Sequence, residues 1–287
     1  MSHVPVLAAE VLEGLALQPG MTVLDGTLGL GGHALLILEA TAPHGQLIGV
    51  ERDSRNWAVA KERLTNYGDR VTTIRDSYGN IASHQIPPLD AVLLDLGFSS
   101  VHVDQADRGF SFMQEGPLDM RYDQGQELTA EAIVNGWPRD DLNRLFREYG
   151  EEHYSGEIAK AITEARKKQR ITTTTQLADL ILKLAGGRGA IHPATKVFQA
   201  LRIAVNDEFG ELTRGLTELT KLLKPGGRLV VISFHSLEDR IVKNFIKEST
   251  ELVAVNKKPI IASDEELRQN PRSRSAKLRI ASKQEPT

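Results

Sequence analysis

The stretch VLDGTLGLGGH, residues 23–33, decides the fold, because a glycine-rich turn here follows a short apolar run and precedes a predicted helix. One glycine is enough for a tight turn, whereas four so close together indicate a backbone that approaches a ligand. The dehydrogenase pattern G-x-G-x-x-G is absent, since the third glycine follows Gly31 directly. No Gly-Lys-Ser/Thr follows, so a P-loop is absent too. The turn predicts a bound ligand and leaves its identity open.

Around this turn, short apolar runs alternate with helical patterns over the first hundred residues. The predicted strands are 21–26, 45–53, 70–76 and 89–97. The predicted helices between them are 32–40 and 54–64. Strands that are apolar throughout are buried on both faces, and alternation with helices implies parallel βαβ units. The sequence therefore predicts half of a doubly wound α/β fold.

The alternation stops between about Asp104 and Gly189, where we find no convincing buried strand. The segments 138–150 and 172–186 instead place apolar side chains at i, i+3, i+4 and i+7, which is typical of amphipathic helices. A helix or two abutting helices follow over 193–223. Strands are predicted again at 224–235, after a Pro-Gly-Gly turn, and at 275–283. The predicted domains are an α/β domain, 1–104 and 190–287, and an inserted helical domain, 105–189.

Acidic side chains stand at the carboxyl ends of the first four predicted strands. They are Asp25, Glu51, Asp76 and Asp95. Ligands of open α/β sheets lie at these ends, and carboxylates there suit a cationic ligand and repel a pyrophosphate. Glu51 can accept hydrogen bonds from both hydroxyls of a ribose. S-adenosylmethionine (SAM) has a ribose, a cationic sulfonium and an amine but no phosphate, so these residues favour SAM over a dinucleotide.

The composition limits the classes of function. The net charge is −3, so nucleic-acid binding must rest on local basic patches. The chain has no cysteine, which excludes disulfides and thiolate metal sites and fits a reducing cytoplasm. Residues 1–15 lack the features of a signal peptide, and no apolar run approaches the length of a bilayer span. We therefore expect a cytoplasmic protein without a membrane segment.

Seven motifs along the chain follow one another in a specific order. They are DGTLGLGGH, DLGFSS, RGFSFMQEGPLDMRYD, YGEE, HPATKVFQALRIAVNDE, LKPGGRLVVISFHSLEDRIVK and NPRSRSAKLRIA. In these motifs the chain resembles the RsmH (MraW) family from His3 to Ala281. Members of that family use SAM to methylate N4 of a cytosine in the decoding centre of 16S rRNA. The resemblance implies a Rossmann-like class I SAM-dependent methyltransferase sheet with an inserted helical domain for substrate recognition, SAM as cofactor, and 16S rRNA of the small ribosomal subunit as partner.

The resemblance also implies a set of cofactor contacts. By position they are Gly31, Gly32, His33, Glu51, Tyr78, Asp95 and His102. Glu51 stands where the family commonly has Asp, and Tyr78, which can cover an adenine face, stands where Phe is common. His102 is a larger departure, because the family usually has Gln there. An imidazole still donates or accepts a hydrogen bond, with a different reach and pH response.

Catalysis is assigned to Asp95. A cytosine amine is a poor nucleophile, so we expect positioning to supply most of the rate. The Asp95 carboxylate or the Leu96 carbonyl would stabilise the charge that develops on the amine. The segment Asp95-Leu96-Gly97-Phe98 also looks like the Asp-Pro-Pro-Tyr/Phe motif of amino-methyltransferases. The residues predicted to contact substrate are Phe98, Ser99, Ser100, His235 and Arg240.

The segment SFHSLEDR, 233–240, contains Ser, His and acidic residues, but no hydrolase elbow G-x-S-x-G is present. Its acids beside His235 are more often helix caps and surface pairs than metal ligands, so we expect no metal site. We favour RNA contact for this segment.

Two basic clusters are candidates for an RNA-binding rim with salt-dependent affinity. One is ARKKQR, 165–170, and the other lies between Leu267 and Gln284, where no acid occurs. The basic residues of this second cluster are Arg268, Arg272, Arg274, Lys277, Arg279 and Lys283. The run GFSFM, 109–113, is either a lid over the target base or a small core that joins the two domains, and we favour the core.

Two rival functions remain at this point. A Rossmann-type oxidoreductase is disfavoured by the glycine spacing and by the acids at the strand ends. A non-catalytic RNA-binding factor with this fold is disfavoured by the intact turn, Glu51 and Asp95. The residues leave the oligomeric state open, a homodimer included.

Overall fold

The computed structural model describes residues 4–97, 105–185 and 192–285. The chain divides into two compact units. The first consists of Met1–Gly97 and Phe209–Thr287, and the second of Phe98–Glu208.

One mixed sheet forms the centre of the first unit. The strands in the described residues are β1 (Thr22–Asp25), β2 (Gln46–Val50), β3 (Val71–Ile74), β4 (Leu89–Asp95), β5 (Leu223–Ser233), β6 (Leu252–Ala254), β7 (Ile260–Ile261) and β8 (Lys277–Lys283). Their order is β3-β2-β1-β4-β5-β8-β6, with β7 paired to β8. Strands β1 to β5 run parallel, and β8 is antiparallel to β5 and β6. The order reverses between β1 and β4, and a ligand crevice of such sheets opens at that point.

The described residues form eleven α-helices, which are divided between the two units. They are α1 (Ala8–Leu15), α2 (Gly32–Ala40), α3 (Ser54–Arg63), α4 (Ala130–Gly136), α5 (Arg139–Gly150), α6 (Ser155–Ala165), α7 (Thr174–Ala185), α8 (Ala194–Asn206), α9 (Glu208–Leu222), α10 (Ser236–Glu248) and α11 (Asp264–Gln269). The segment 193–223 is two abutting helices, because Asp207 between α8 and α9 adopts a left-handed φ of 49°. No helix in the described part of the chain has the length and apolar composition to cross a bilayer.

Both faces of the sheet are covered by helices. Val23 and Leu93 point to one face and pack with α1, α2 and α3, whereas Leu24 and Leu94 point to the other and pack with α9 and α10. Side chains alternate between the faces of a strand, so a strand buried on both faces is apolar at every position. This explains the uninterrupted apolar runs of the sequence and confirms the predicted α/β class.

The Pro-Gly-Gly segment differs from its prediction as a turn before the strand. It lies inside β5, where the pairing with β4 jumps from Leu89–Leu223 to Ala91–Arg228. Gly226 in this bulge has a φ of 76°, which glycine adopts without strain. The bulge lies at the edge of the sheet opposite the carboxyl ends, so it does not shape the ligand crevice.

The second unit is helical and has its own core. Phe146 of α5 shares one buried cluster with Val197 and Leu201 of α8. Because α8 contributes to this core, the compact unit reaches Glu208, beyond the predicted boundary at residue 189. The assignment of the insertion to substrate recognition stays a prediction.

The run 109–113 contributes to the core of the second unit. The ring of Phe110 stacks on Tyr122 with centroids 5.3 Å apart, and Phe112 meets Phe198 edge-on at 4.9 Å. Met113 is 81% exposed. The two phenylalanines therefore pack within this unit. From the sequence, we instead considered a lid over the target base or a core that joins the two domains.

Asn206 at the end of α8 fixes a neighbouring loop, and its removal should destabilise the chain. Its Nδ2 donates to the Met120 carbonyl at 2.7 Å, and its Oδ1 accepts from the Tyr122 N–H at 2.8 Å. Asn206→Ala leaves buried backbone groups without these partners, so we expect the free energy of unfolding to fall by about 3 kcal/mol in urea titrations. Thr195→Ala, exposed on the same helix, is the control and should change it by less than about 0.5 kcal/mol. An equal effect of both substitutions would contradict this role.

Candidate active site

The glycine turn between β1 and α2 is bonded to both neighbouring strands. The Gly26 N–H donates to the Leu93 carbonyl of β4 at 2.9 Å, and the Leu28 N–H donates to the Val50 carbonyl of β2 at 2.9 Å. Gly31 has a φ of 79° and caps α2, a conformation that disfavours other residues. These bonds place the turn at the point where the strand order reverses.

Glu51 holds this turn through both carboxylate oxygens. Oε2 accepts from the Gly29 N–H at 2.8 Å, and Oε1 accepts from the Asp53 N–H at 2.7 Å. Burial raises the pKa of Glu51 to about 8, and the charges of Asp53 and Asp25 add to this rise. Each oxygen keeps a further lone pair that can accept a hydrogen bond from a ribose hydroxyl. The observed role of Glu51 is to hold the turn, and its contact with a ribose stays a prediction.

Thr27 connects the other two acids of the site, and the sequence interpretation missed it. Its N–H donates to Asp25 Oδ1 at 3.1 Å, and its hydroxyl accepts from the Asp95 N–H at 2.6 Å. Burial raises the pKa of Asp25 to about 7. Burial, then the charges of Asp25 and Glu238, raise the pKa of Asp95 to about 8. The only signal in the sequence is a hydroxyl residue between Gly26 and the later glycines.

Asp25 and Asp95 each have a carboxylate oxygen available to a ligand. Asp25 Oδ2 and Asp95 Oδ1 are buried and have no hydrogen-bond partner among the described residues. Unpartnered buried carboxylates are unfavourable, and a cation placed against them removes the penalty. Asp76 is different, because it bonds His84 Nε2 and Asn80 Nδ2, each at 2.9 Å, in its own loop. The acidic site is therefore a trio, Asp25, Glu51 and Asp95.

His33 and Tyr78 flank this trio. His33 is buried in the first turn of α2, and its Nε2 lies 3.7 Å from Asp95 Oδ2. Gly32 begins the same helix and packs on Pro5. The Tyr78 ring packs against Gly215 of α9, where any side chain larger than hydrogen would overlap it. The structure thus gathers six of the seven predicted cofactor residues around one crevice, and His102 lies outside the described residues.

The predicted substrate residues fall into two groups. Phe98, Ser99 and Ser100 lie outside the described residues. His235 is the N-cap of α10 in a capping box with Glu238, whose Oε2 accepts from the Phe234 and His235 N–H groups. Glu238 is therefore a helix-capping residue, whereas the other acid of this segment, Asp239, binds Arg279. Arg240 is exposed on α10.

The two basic clusters are partly committed to ion pairs within the units. Arg279 binds Asp239 through two nitrogens, at 2.6 and 3.1 Å, and Lys283 lies 3.3 Å from Glu251. In the other cluster, Arg170 binds Glu131 at 2.6 Å. The sequence could not separate these residues from basic residues that face solvent.

Comparison with known proteins decides the family. A model of the MraW methylase family matches residues 1–284. The chain belongs to the MraW methylase family. The ribosomal RNA small subunit methyltransferase H of Nostoc punctiforme is 50% identical, covering 98% of this chain and 94% of its own. The protein of the same name from Geobacter sulfurreducens is 47% identical, covering 98% and 99%. A crystal structure of a SAM-dependent O-methyltransferase from Thermotoga maritima aligns with a TM-score of 0.46 at 11% identity, covering 100% of this chain and 69% of that one.

Membership of the MraW methylase family confirms the enzyme class, the cofactor and the fold class expected from the sequence. This chain is a SAM-dependent methyltransferase with a class I sheet. The rival oxidoreductase and the non-catalytic factor are thereby excluded. The acidic trio fits SAM, because its free carboxylate oxygens suit the positive charge of that cofactor.

The trio predicts how the stability of this MraW methylase depends on pH without cofactor. The carboxyl groups of Asp25, Glu51 and Asp95 have pKa values of about 7, 8 and 8 when folded, against about 4 when unfolded. The folded chain therefore binds more protons, so its free energy of unfolding falls as pH rises from about 5 to about 8 and then levels off. Urea titrations across this range measure it. Asp95→Asn should flatten the slope, and a slope that rises with pH would contradict the raised pKa values.

Proposed function

We propose that this MraW methylase transfers the methyl group of SAM to N4 of a cytosine in the decoding centre of 16S rRNA, on the assembled small ribosomal subunit in the cytoplasm. The trio of raised-pKa carboxyl groups at the ends of β1, β2 and β4 carries the assignment of methyl transfer to this crevice. The names of the relatives support the ribosomal substrate. The seven motifs shared with the RsmH (MraW) family support the cytosine amine.

The cofactor would be held by groups at or after the ends of four strands, β1 to β4. The proposed contacts are Gly31, Gly32, His33, Glu51, Tyr78, Asp95 and, from the sequence alone, His102. Glu51 would accept from the ribose hydroxyls with its remaining lone pairs, and Tyr78 would cover the adenine. The free oxygens of Asp25 and Asp95 would face the cationic end. When bound, SAM supplies an electrophilic methyl group.

Asp95 would act on the amine as well. The Thr27 hydroxyl holds the backbone N–H of Asp95, and His33 Nε2 lies 3.7 Å from Oδ2 of its carboxylate. Oδ1 would accept a hydrogen bond from the N4 amine, so that the nitrogen lone pair is less delocalised into the ring as the bond to carbon forms. The amine proton that is lost on transfer would pass to this carboxylate, once SAM binding has lowered its pKa from about 8 and deprotonated it, or to water.

RNA contact is proposed for Arg240, which is exposed on α10 after β5, and for His235. From the sequence alone it is also proposed for Phe98, Ser99 and Ser100. His235 would act through its ring while it caps α10, so its substitution should also destabilise that helix.

Mapping of modified nucleosides by mass spectrometry tests this function. Small subunits and protein-free 16S rRNA from cells that lack the methylation are incubated with the protein and SAM, then digested. We expect N4-methylcytidine at one decoding-centre position in the subunit and little in the free RNA. Methylation of a different atom or of a different RNA would refute the substrate assignment, and equal methylation of free RNA would refute the requirement for the subunit.

A further inference from the structure

A second cleft of about 280 Å³ opens in the first unit, at the ends of β5, β7 and β8. Its polar wall contains Ser236, Arg274, Ser275 and Lys277. Phe234 and Ile261 form much of its apolar wall. None of the described residues that line the cleft is acidic, in contrast to the trio at β1, β2 and β4. The cleft therefore selects for an anion rather than a cation.

The two basic residues of this cleft are available to a ligand. Arg274 is exposed on the short turn Pro271–Ser275 and makes no hydrogen bond or ion pair with any described residue. Lys277 Nζ lies 3.8 Å from Asp239 Oδ2, but Arg279 already binds that carboxylate through two nitrogens. Asp239 is thus neutralised by Arg279, and the Lys277 ammonium keeps donors for another anion.

The cleft lies at the same sheet edge as the acidic trio. Asp95 of β4 pairs with Ile232 of β5, and the next residue, Ser233, pairs with Lys277 of β8. Adjacent strands are about 4.8 Å apart, and β8 is the second strand from β4. The backbone of Lys277 therefore lies about 10 Å from that of Asp95 across the sheet. That distance corresponds to about three stacked nucleotides of one strand. Phe234, in the wall of the cleft, packs against Gly97 just beyond Asp95.

We propose that this cleft binds a phosphodiester of the RNA strand, within a few nucleotides of the reacting cytosine, through Arg274 and Lys277. Two cations and two hydroxyl groups in one recess match phosphate oxygens, and the apolar wall accommodates the adjoining sugar. Such a contact fixes the register of the strand without reading its sequence. The inference rests on the proposed RNA substrate and assigns a phosphate site within it.

The test compares two exposed basic residues of the first unit. Arg274 lines the cleft, and Lys247, in the last turn of α10, does not. We expect Arg274→Ala to raise the KM for small subunits about tenfold and to reduce the slope of log affinity against log salt by about 0.7 to 0.9, with SAM affinity unchanged. Lys277→Gln should act in the same direction. Lys247→Ala should behave like wild type, and equal effects of Lys247→Ala and Arg274→Ala would overturn the site.

Binding measurements separate this inference from the proposed function. If the wild type binds small subunits without methylating them, the proposed function fails, and loss of binding in Arg274→Ala alone would still support the phosphate site. If the wild type methylates cytosine and Arg274→Ala is normal, the inference alone fails. The second probe is inorganic phosphate, and its binding is measured by NMR. If Arg274→Ala abolished phosphate binding but left the affinity for small subunits unchanged, the cleft would be a site for free anions, and the RNA assignment would be overturned.

Discussion

Asp95→Asn is expected to lower kcat for RNA methylation by about 100-fold or more at saturating SAM, with a smaller loss of SAM affinity. Asparagine keeps the shape and one acceptor oxygen, but it removes the negative charge that would stabilise the developing charge on the amine. The Asp95 N–H bond to Thr27 is a backbone bond and persists, so the strand end stays in place. Single-turnover methylation of small subunits measures the rate, and calorimetric titration measures SAM affinity.

Asp90→Asn is the matched control for this substitution. Asp90 lies on the same strand at the opposite edge, where it accepts from the Thr22 N–H at 2.8 Å and binds Lys224 at 2.7 Å. Its replacement should lower stability and leave kcat unchanged. If Asp95→Asn kept full kcat and raised only the KM for SAM, Asp95 would have no role at the amine.

Glu51→Gln is expected to weaken SAM binding about 100-fold with kcat at saturating SAM nearly unchanged. Each oxygen of Glu51 accepts a hydrogen bond from a backbone N–H. In glutamine an NH2 group replaces one of these oxygens, and this group cannot accept a hydrogen bond. The turn then loses either the bond to Gly29 or the bond to Asp53, and the ribose loses a charged acceptor. Each such loss is worth about 1.5 to 3 kcal/mol.

Glu62→Gln, exposed near the end of α3, is the control for Glu51→Gln and should bind SAM like wild type. Calorimetric titration gives the Kd for each variant, and initial rates give kcat. A large fall in kcat with unchanged SAM affinity would place Glu51 in the chemistry rather than in cofactor binding.

Local patterns in the sequence were sufficient for strands β1 to β5 and β8 of the sheet and for the position of the crevice. Apolar runs such as the one over 89–97 report burial on both faces, and glycines after Asp25 report a tight turn. The details of the site depend on contacts between distant residues. The bond from Gly29 to Glu51 joins residues 22 apart, and the approach of His33 to Asp95 joins two different elements. No spacing in the sequence encodes these pairs.

The same reason explains where the sequence interpretation was incomplete. A run of basic residues does not show that Arg279 points to Asp239 while Arg274 faces a cleft. The association of α8 with the second unit depends on its packing against α5, which helical periodicity alone cannot assign. Strands as short as β6 and β7 have too few residues for an alternating pattern to be recognised.

Calorimetric titration of SAM in two buffers of different ionisation enthalpy tests the central claim most directly, that the acidic trio holds a cationic cofactor. Without ligand, the pKa values of Asp25, Glu51 and Asp95 are about 7, 8 and 8. Binding of a cation lowers all three pKa values, so protons must leave the protein as SAM binds. We predict proton release near pH 7.5, an affinity that rises from about pH 6 to about pH 8, less release with the uncharged-sulfur analogue S-adenosylhomocysteine, and no binding of NAD. SAM binding without proton release and without pH dependence would contradict the account.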